Sequence, residues 1–311
     1  MTLLNKFTCM LILLSCASLA GIIPAYAQTG SEPPKLTLTT IDVPGAAVTE
    51  INGINTAGDM VGFYGQSTLG PLYGFLYSGG TFTYYDYPGQ TITVPGGIND
   101  SGSIVGYAGS DPVVGFLYNG TTFTTLQDGS DSATFAFGLN NAGTVVGRAG
   151  SLGTAKAFRM RNGQYETVNF PGLFCPYKNA VGINNLGEIV GYTVCGIPEY
   201  GYLRKNGKLQ NIDFPGATQT VALGINDSGV IVGCYGKGGI FYAFAYLGER
   251  YVSFSYPGAK DTCAYGINAS GQVVGAYSFD NQAYQGFVSS PITTANFERP
   301  GCCQVAVVDG R

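Results

Sequence analysis

Beyond residue 30 the apolar residues come in short runs, such as Ile104-Val105-Gly106-Tyr107 and Thr81-Phe82-Thr83-Tyr84-Tyr85, each bounded by Gly, Asn or Pro. No segment keeps the roughly 3.6-residue apolar period of an amphipathic helix, so the pattern predicts strands and turns throughout. The same order of runs and breaks recurs. A decapeptide Gly-[Ile/Leu]-Asn-x-x-Gly-x-[Ile/Val/Met]-Val-Gly begins at Gly53, Gly97, Gly138, Gly182, Gly224 and Gly266, at intervals of 44, 41, 44, 42 and 42 residues. Each copy leads to a short aromatic segment, as in Tyr73-Gly74-Phe75-Leu76-Tyr77 and Tyr242-Ala243-Phe244-Ala245-Tyr246. Most units close on an aromatic-Pro-Gly turn: Asp86-Tyr87-Pro88-Gly89, Asn169-Phe170-Pro171-Gly172, Asp213-Phe214-Pro215-Gly216 and Ser255-Tyr256-Pro257-Gly258. The unit begun at Gly97 departs from this, ending Leu126-Gln127-Asp128-Gly129.

One unit therefore reads as four strands, A to D. Strand A runs into Gly-Ile-Asn. The Asn-x-x-Gly that follows is hairpin chemistry, since the Asn side chain bonds nearby amides and Gly accepts the left-handed turn geometry. Strand B is the Ile-Val-Gly-Tyr type. Strand C carries Phe75, Phe116, Phe158, Tyr202, Phe244 or Phe287, and strand D ends at the Pro-Gly, which cannot continue a ladder. Repeats of roughly 40 to 50 residues with four strands are the size of a propeller blade. The expected fold is all-β: a six-bladed β-propeller of four-stranded antiparallel blades over residues 28–290, its ring closed by a terminal strand. Two segments resemble a spare strand D, Leu36–Gly45 before the first unit and Thr293–Gly301 after the last, and the sequence does not choose between them. An open β-solenoid is the alternative, but it needs polar capping repeats that neither end supplies.

These residues resemble the HAF-type extracellular repeat family of exported bacterial proteins, whose units carry a Gly-Ile-Asn-x-x-Gly-x-Val-Val-Gly core followed by Ala-Phe or Gly-Phe. The resemblance covers residues 36 to about 290, with Gly74-Phe75, Gly115-Phe116, Ala157-Phe158, Gly201-Tyr202, Ala243-Phe244 and Gly286-Phe287 in place. It implies a secreted propeller-type protein and no particular activity.

Composition narrows the chemistry. The chain has no His, which excludes a Ser-His-Asp triad, a Cys-His dyad and histidine-ligated zinc. A net charge of -4 argues against a nucleic-acid surface. Only 11% of residues are charged, as expected if both faces of each sheet are covered. Residues 1–27 read as a signal peptide: Lys6, the apolar run Phe7 to Leu14, then Ala25-Tyr26-Ala27 before Gln28. The alternatives are an uncleaved anchor, or a lipid attached at Cys16. No later segment reads as a membrane span. Export favours disulfides among Cys175, Cys195, Cys234, Cys263, Cys302 and Cys303. The predicted pairs are Cys175 with Cys195, on one loop rim, and Cys234 with Cys263. Residues 291–311 form a tail with a candidate closing strand and the remaining cysteines.

No cofactor and no metal is implied. The six motif asparagines are assigned to turn chemistry, which accounts for them without a ring of ligands. Hairpins A–B and C–D share one rim, and the B–C and D–A loops, read as long and different in every blade, share the other. Loops on a rigid scaffold tolerate variation and present function. The candidate ligand-binding residues on that rim are Asp111, Tyr177, Glu199, Tyr200, Asp261, Asp280 and Tyr284, and the expected partner is a polysaccharide or surface protein, bound without catalysis by a monomer. The competing reading is a carboxylate-dependent glycoside hydrolase using acids such as Asp111, Asp131, Glu199, Asp261 and Asp280, since two carboxylates suffice for that chemistry.

Overall fold

The computed structural model describes residues 36–127, 133–150, 155–170, 175, 177–194 and 199–292, with the backbone of 305–308. Within them every regular element is a strand. Blades one to five are four-stranded antiparallel sheets in the order A-B-C-D, and the sixth has five strands. Blade one, for example, runs Val48–Ile54, Met60–Gly65, Leu72–Ser78 and Thr81–Tyr85. The six-bladed propeller read from the repeats is the observed fold.

Ring closure is decided by the start of the chain. Strand Leu36–Ile41 pairs antiparallel with strand C of blade six, Gln285–Ser289, and so takes the strand D position there. Strand Val305–Val308 adds outside it in parallel, with Leu36 opposite Val305 and Thr39 opposite Val308. The competing segment 293–301 lies outside the described residues.

The strand C aromatics are the pillars between blades. Phe75, Phe116, Phe158, Tyr202, Phe244 and Phe287 are all at most 2% exposed. Each packs against strand B of the preceding blade, Phe116 with Val61 and Phe287 with Val232 among them. Such burial contributes about 1.5–3 kcal/mol per ring. Each ring also lies over the last motif glycine on its neighbouring strand: Phe116 opposes Gly106, and a Cβ there would come within 2.5 Å of the ring. Where the ring is Tyr202, its hydroxyl donates to the Asn179 carbonyl at 2.8 Å.

A second device clamps the D–A turns. Thr49, Thr93, Thr220 and Thr262 on strand A accept the backbone N–H of Val43, Tyr87, Phe214 and Tyr256, the aromatic or apolar residue of the preceding Pro-Gly turn. The loops of this rim are not uniformly long. In blade five, strands B and C (Ile231–Lys237 and Ile240–Tyr246) are joined by Gly238-Gly239 alone.

Cys234 and Cys263 form the expected disulfide, joining strand B of blade five to strand A of blade six. Cys175 is also disulfide-bonded. Its expected partner Cys195, like Cys302 and Cys303, lies outside the described residues.

Candidate functional site at the two ends of the axis

Strand A is the innermost strand of every blade, and it contains the same irregularity six times. Its pairing with strand B skips one residue just before the motif glycine: Asn52, Gly96, Phe137, Val181, Leu223 and Tyr265 are the bulged positions. Phe137, Val181 and Tyr265, from three blades, pack in one cluster, and Val181 and Tyr265 join Leu223 in another. The motif glycines form a ring directly beside them. A Cβ on Gly53 would sit 2.9 Å from the Gly97 Cα, one on Gly182 3.2 Å from the Gly224 Cα, and one on Gly266 3.3 Å from the Gly53 Cα, completing the circuit. Backbones this close leave no room for a side chain. The glycine ring and the bulge cluster lie between the two ends of the axis.

The hairpin end is a closed clasp. Each motif asparagine divides its amide between two tasks. The Oδ1 accepts turn amides, as Asn140 does from Ala142 N at 3.1 Å and Thr144 N at 3.0 Å. The Nδ2 donates to the carbonyl of the next blade's asparagine. Asn55 to Asn99, Asn99 to Asn140, Asn140 to Asn184, Asn184 to Asn226, Asn226 to Asn268 and Asn268 back to Asn55 span 3.0–3.4 Å. Turn chemistry alone, the sequence expectation, is therefore half of the role. A second series lies outside the first, where Thr56, Asp100, Asn141 and Asn185 each donate a backbone N–H to the side chain of the next blade. It stops at Ala269, which has no acceptor. The cavity these rings surround is about 80 Å³, far below the roughly 300 Å³ at which ligand pockets begin. Both oxygens of Asp100, and both of Asp227, already accept protein N–H groups. The Thr56 N–H, the largest influence, holds the Asp100 carboxyl below its ordinary range.

The opposite end varies from blade to blade. Three residues before each motif glycine stand Glu50, Val94, Phe135, Asn179, Val221 and Cys263. Their cross-strand partners are Phe63, Tyr107, Arg148, Tyr192, Cys234 and Ala276. Glu50 is 1% exposed. The Arg148 guanidinium lies 4.1 Å over the Phe135 ring, a cation–π arrangement. Burial lowers its pKa, opposed by Tyr192, Tyr107 and Tyr177. Burial pushes the Tyr107 hydroxyl well up, Glu50 adds to this and Arg148 opposes it, so an acid and a base act on one phenol. The Oδ1 of Asn179, 2% exposed, has no hydrogen-bond partner among the described residues.

The sequence-predicted residues fall around this end. Tyr177 joins the Arg148 group. Tyr177 and Glu199 both flank Val194 on the adjacent strands of blade four, and burial raises the Glu199 pKa. Tyr200 is 41% exposed beside Glu199. Asp261 accepts the Phe241 N–H at 2.8 Å, tying blade six to blade five, and burial raises its pKa. Asp280 accepts from Gln282 N and Ala283 N within its own loop, and these bonds lower its pKa. Tyr284 is 6% exposed in an apolar cluster with Phe63 and Val48. Asp111 is exposed, preceding the cis Pro112, and Asp131 lies outside the described residues. Tyr107, Arg148, Asn179 and Tyr192 were missed because each sits inside a strand. Aligning the six repeats would have found them as polar residues at positions held elsewhere by Val, Phe, Cys or Ala.

No three His, Cys, Asp or Glu side chains are grouped to hold a metal among the described residues. No family model and no curated protein matches the chain. Among solved structures it is similar to virginiamycin B lyase from Staphylococcus aureus, at 9% identity and a TM-score of 0.47 over 85% of this chain and 91% of that one. It is also similar to the β-propeller domain of the Trilobed protease from Pyrococcus furiosus, at 10% identity and a TM-score of 0.45 over 83% and 99% of the two chains. TolB from Acinetobacter baumannii follows, at 10% identity and a TM-score of 0.46 over 74% and 63%. The fold assignment rests on the strand pairing above.

Proposed function

We propose that this chain is an exported, non-catalytic propeller of the HAF-type repeat kind that binds an extracellular or envelope ligand, a polysaccharide or a protein, at the end of the axis opposite the asparagine clasp. The supporting observation is the contrast in repetition. A residue kept in all six blades serves the ring, whereas Glu50, Tyr107, Arg148, Asn179 and Tyr192 replace apolar residues at positions that the ring fills without them. Together they set a carboxylate, a guanidinium, an amide and two phenols at one end of the axis, the kind of convergent polar groups that orient a ligand. Tyr177, Glu199 and Tyr200 would extend this surface outward. The Cys234–Cys263 disulfide is in keeping with an oxidising compartment.

The test is capture of extracellular polysaccharide and protein on the immobilised chain, compared with Arg148→Gln and Tyr177→Ala. Both substitutions are expected to reduce capture at least about tenfold, the loss of one charge-assisted hydrogen bond, while Asp227→Asn at the hairpin end leaves it unchanged. Equal capture by all variants would place the binding elsewhere.

A further inference from the structure

Blade one carries an aromatic cluster that lacks the stacked ring its counterparts have. Two residues beyond the last motif glycine, strand B has an aromatic in three blades: Tyr64, Tyr235 and Tyr277. In blade five, Phe214 from the preceding Pro-Gly turn stacks on Tyr235 at 3.6 Å and 2°. In blade six, Tyr256 stacks on Tyr277 at 3.6 Å and 4°. The corresponding turn before blade one is Asp42-Val43-Pro44-Gly45, so the residue at the covering position is a valine, itself 4% exposed.

Strand D differs too. Opposite the strand C pillar, blades five and six place Ser253 and Thr40, whose hydroxyls bond Tyr235 and Tyr277. Blade one places Tyr84 there. Tyr64 therefore meets Tyr73 at 5.4 Å and Tyr84 at 5.1 Å between ring centroids, and Phe82 lies parallel to Tyr84 at 6.2 Å. Tyr73 is 38% and Tyr84 49% exposed, among the most exposed large apolar side chains described. Asp86, just beyond strand D, accepts the Gly74 N–H beside Tyr73 at 3.4 Å, and burial raises the Tyr64 pKa, with Asp86, Tyr84 and Tyr73 adding to it.

We infer that Tyr64, Tyr73 and Tyr84, edged by Asp86, form a platform for a neutral pyranose ring of a polysaccharide, separate from the axial end. The occupant of the equivalent place in blades five and six is a flat six-membered ring lying parallel on the tyrosine. A pyranose has the same footprint, an apolar C–H face for the rings, and hydroxyls for the phenols and the carboxylate at the edge. Aromatic faces with polar tips suit such amphipathic ligands.

Saturation-transfer NMR and calorimetry with cellopentaose, chitopentaose, mannopentaose and xylopentaose test this on the whole chain. At least one probe is expected to bind, with transfer to the sugar ring protons. Tyr73→Ala and Tyr84→Ala, at exposed positions, should each weaken that binding about tenfold. Val43→Tyr, which supplies the covering ring, should abolish it with every platform tyrosine retained, and Arg148→Gln should leave it unchanged. No binding of any probe up to about 10 mM overturns the platform, as does binding that survives Tyr84→Ala. Binding lost only in Arg148→Gln would overturn it while supporting the axial site.

Discussion

At the hairpin end of the axis Asn55, Asn99, Asn140, Asn184, Asn226 and Asn268 repeat without exception and pass one hydrogen bond around the ring. At the other end, a few residues back along the same strands, Glu50, Val94, Phe135, Asn179, Val221 and Cys263 share a register, and of their identities only valine recurs. Both ends lie on the innermost strand, under the same steric limits. The difference teaches that a closed ring needs only one of its ends to be uniform. The clasp and the glycine ring fix the spacing of the blades, and the far end is then free to diverge.

The sharpest way to break this comparison is to widen the uniform end. A Cβ on Gly138 would sit 2.4 Å from the Val181 carbonyl oxygen in the next blade. Gly138→Ala is expected to cost about 3 kcal/mol or more, seen as a lower denaturation midpoint or loss of folded protein. Tyr107→Phe at the divergent end should stay within roughly 1 kcal/mol. Comparable costs would mean that the glycine ring is not what sets the spacing.

A smaller effect separates the two tasks of the asparagine. Asn140→Ala removes the acceptor of two turn amides and the donor to the Asn184 carbonyl, and should cost about 2–4 kcal/mol as buried groups go unsatisfied. Asn140→Asp keeps an acceptor for the turn but sets an anion against that carbonyl. It too should be destabilising, by roughly 1–3 kcal/mol at neutral pH. If the aspartate variant melts like the parent, the inter-blade bond contributes nothing and the turn alone explains the residue.

The least of the three is a pH effect of opposite sign at the two ends, with Asp280, lowered by amides of its own loop, the exception on the loop rim. Burial raises the pKa of Asp42, Asp86 and Asp213 in the D–A loops, of Asp261 at the start of strand A in blade six, and of Glu199 at the start of strand C in blade four. Between their unfolded and folded pKa values the native state binds more protons than the unfolded chain, so stability falls as pH rises through that window. Asp100 in the clasp is lowered, and its contribution, present above the unfolded value, is lost as pH falls through the folded one. Unfolding measured from pH 7 downward should show stability rising first and falling only at stronger acid. Asp261→Asn should flatten the rise, and a monotonic loss from pH 7 would contradict the assignment.

Much of the fold was legible because its signals are local. Asn-x-x-Gly marks each A–B hairpin, and Gly58, Gly102, Gly143, Gly187, Gly229 and Gly271 all take positive φ there. The pillar aromatics were readable for the same reason, a recurring position in a recurring unit, whereas the Cys234–Cys263 pair was suggested only by the two residues lying in neighbouring units. Of the candidate residues, Tyr177, Glu199 and Asp261 were read as loop residues of the B–C and D–A rim, and each stands at the first position of a strand. Tyr107, Arg148, Asn179 and Tyr192 were not found, since a polar residue inside a strand looks like ordinary alternation until six strands are laid side by side.

The chain by itself determined the number of blades, the four strands in each and the turns between them, because periodicity and turn chemistry act over a few neighbouring residues. Only the tertiary structure decided that Leu36–Ile41 completes blade six, that each motif glycine abuts the next and that Asn268 reaches Asn55 across 213 residues. Those contacts join units whose separation along the chain carries no information about their distance in space. Closure into a ring is what brings them within hydrogen-bond and van der Waals range.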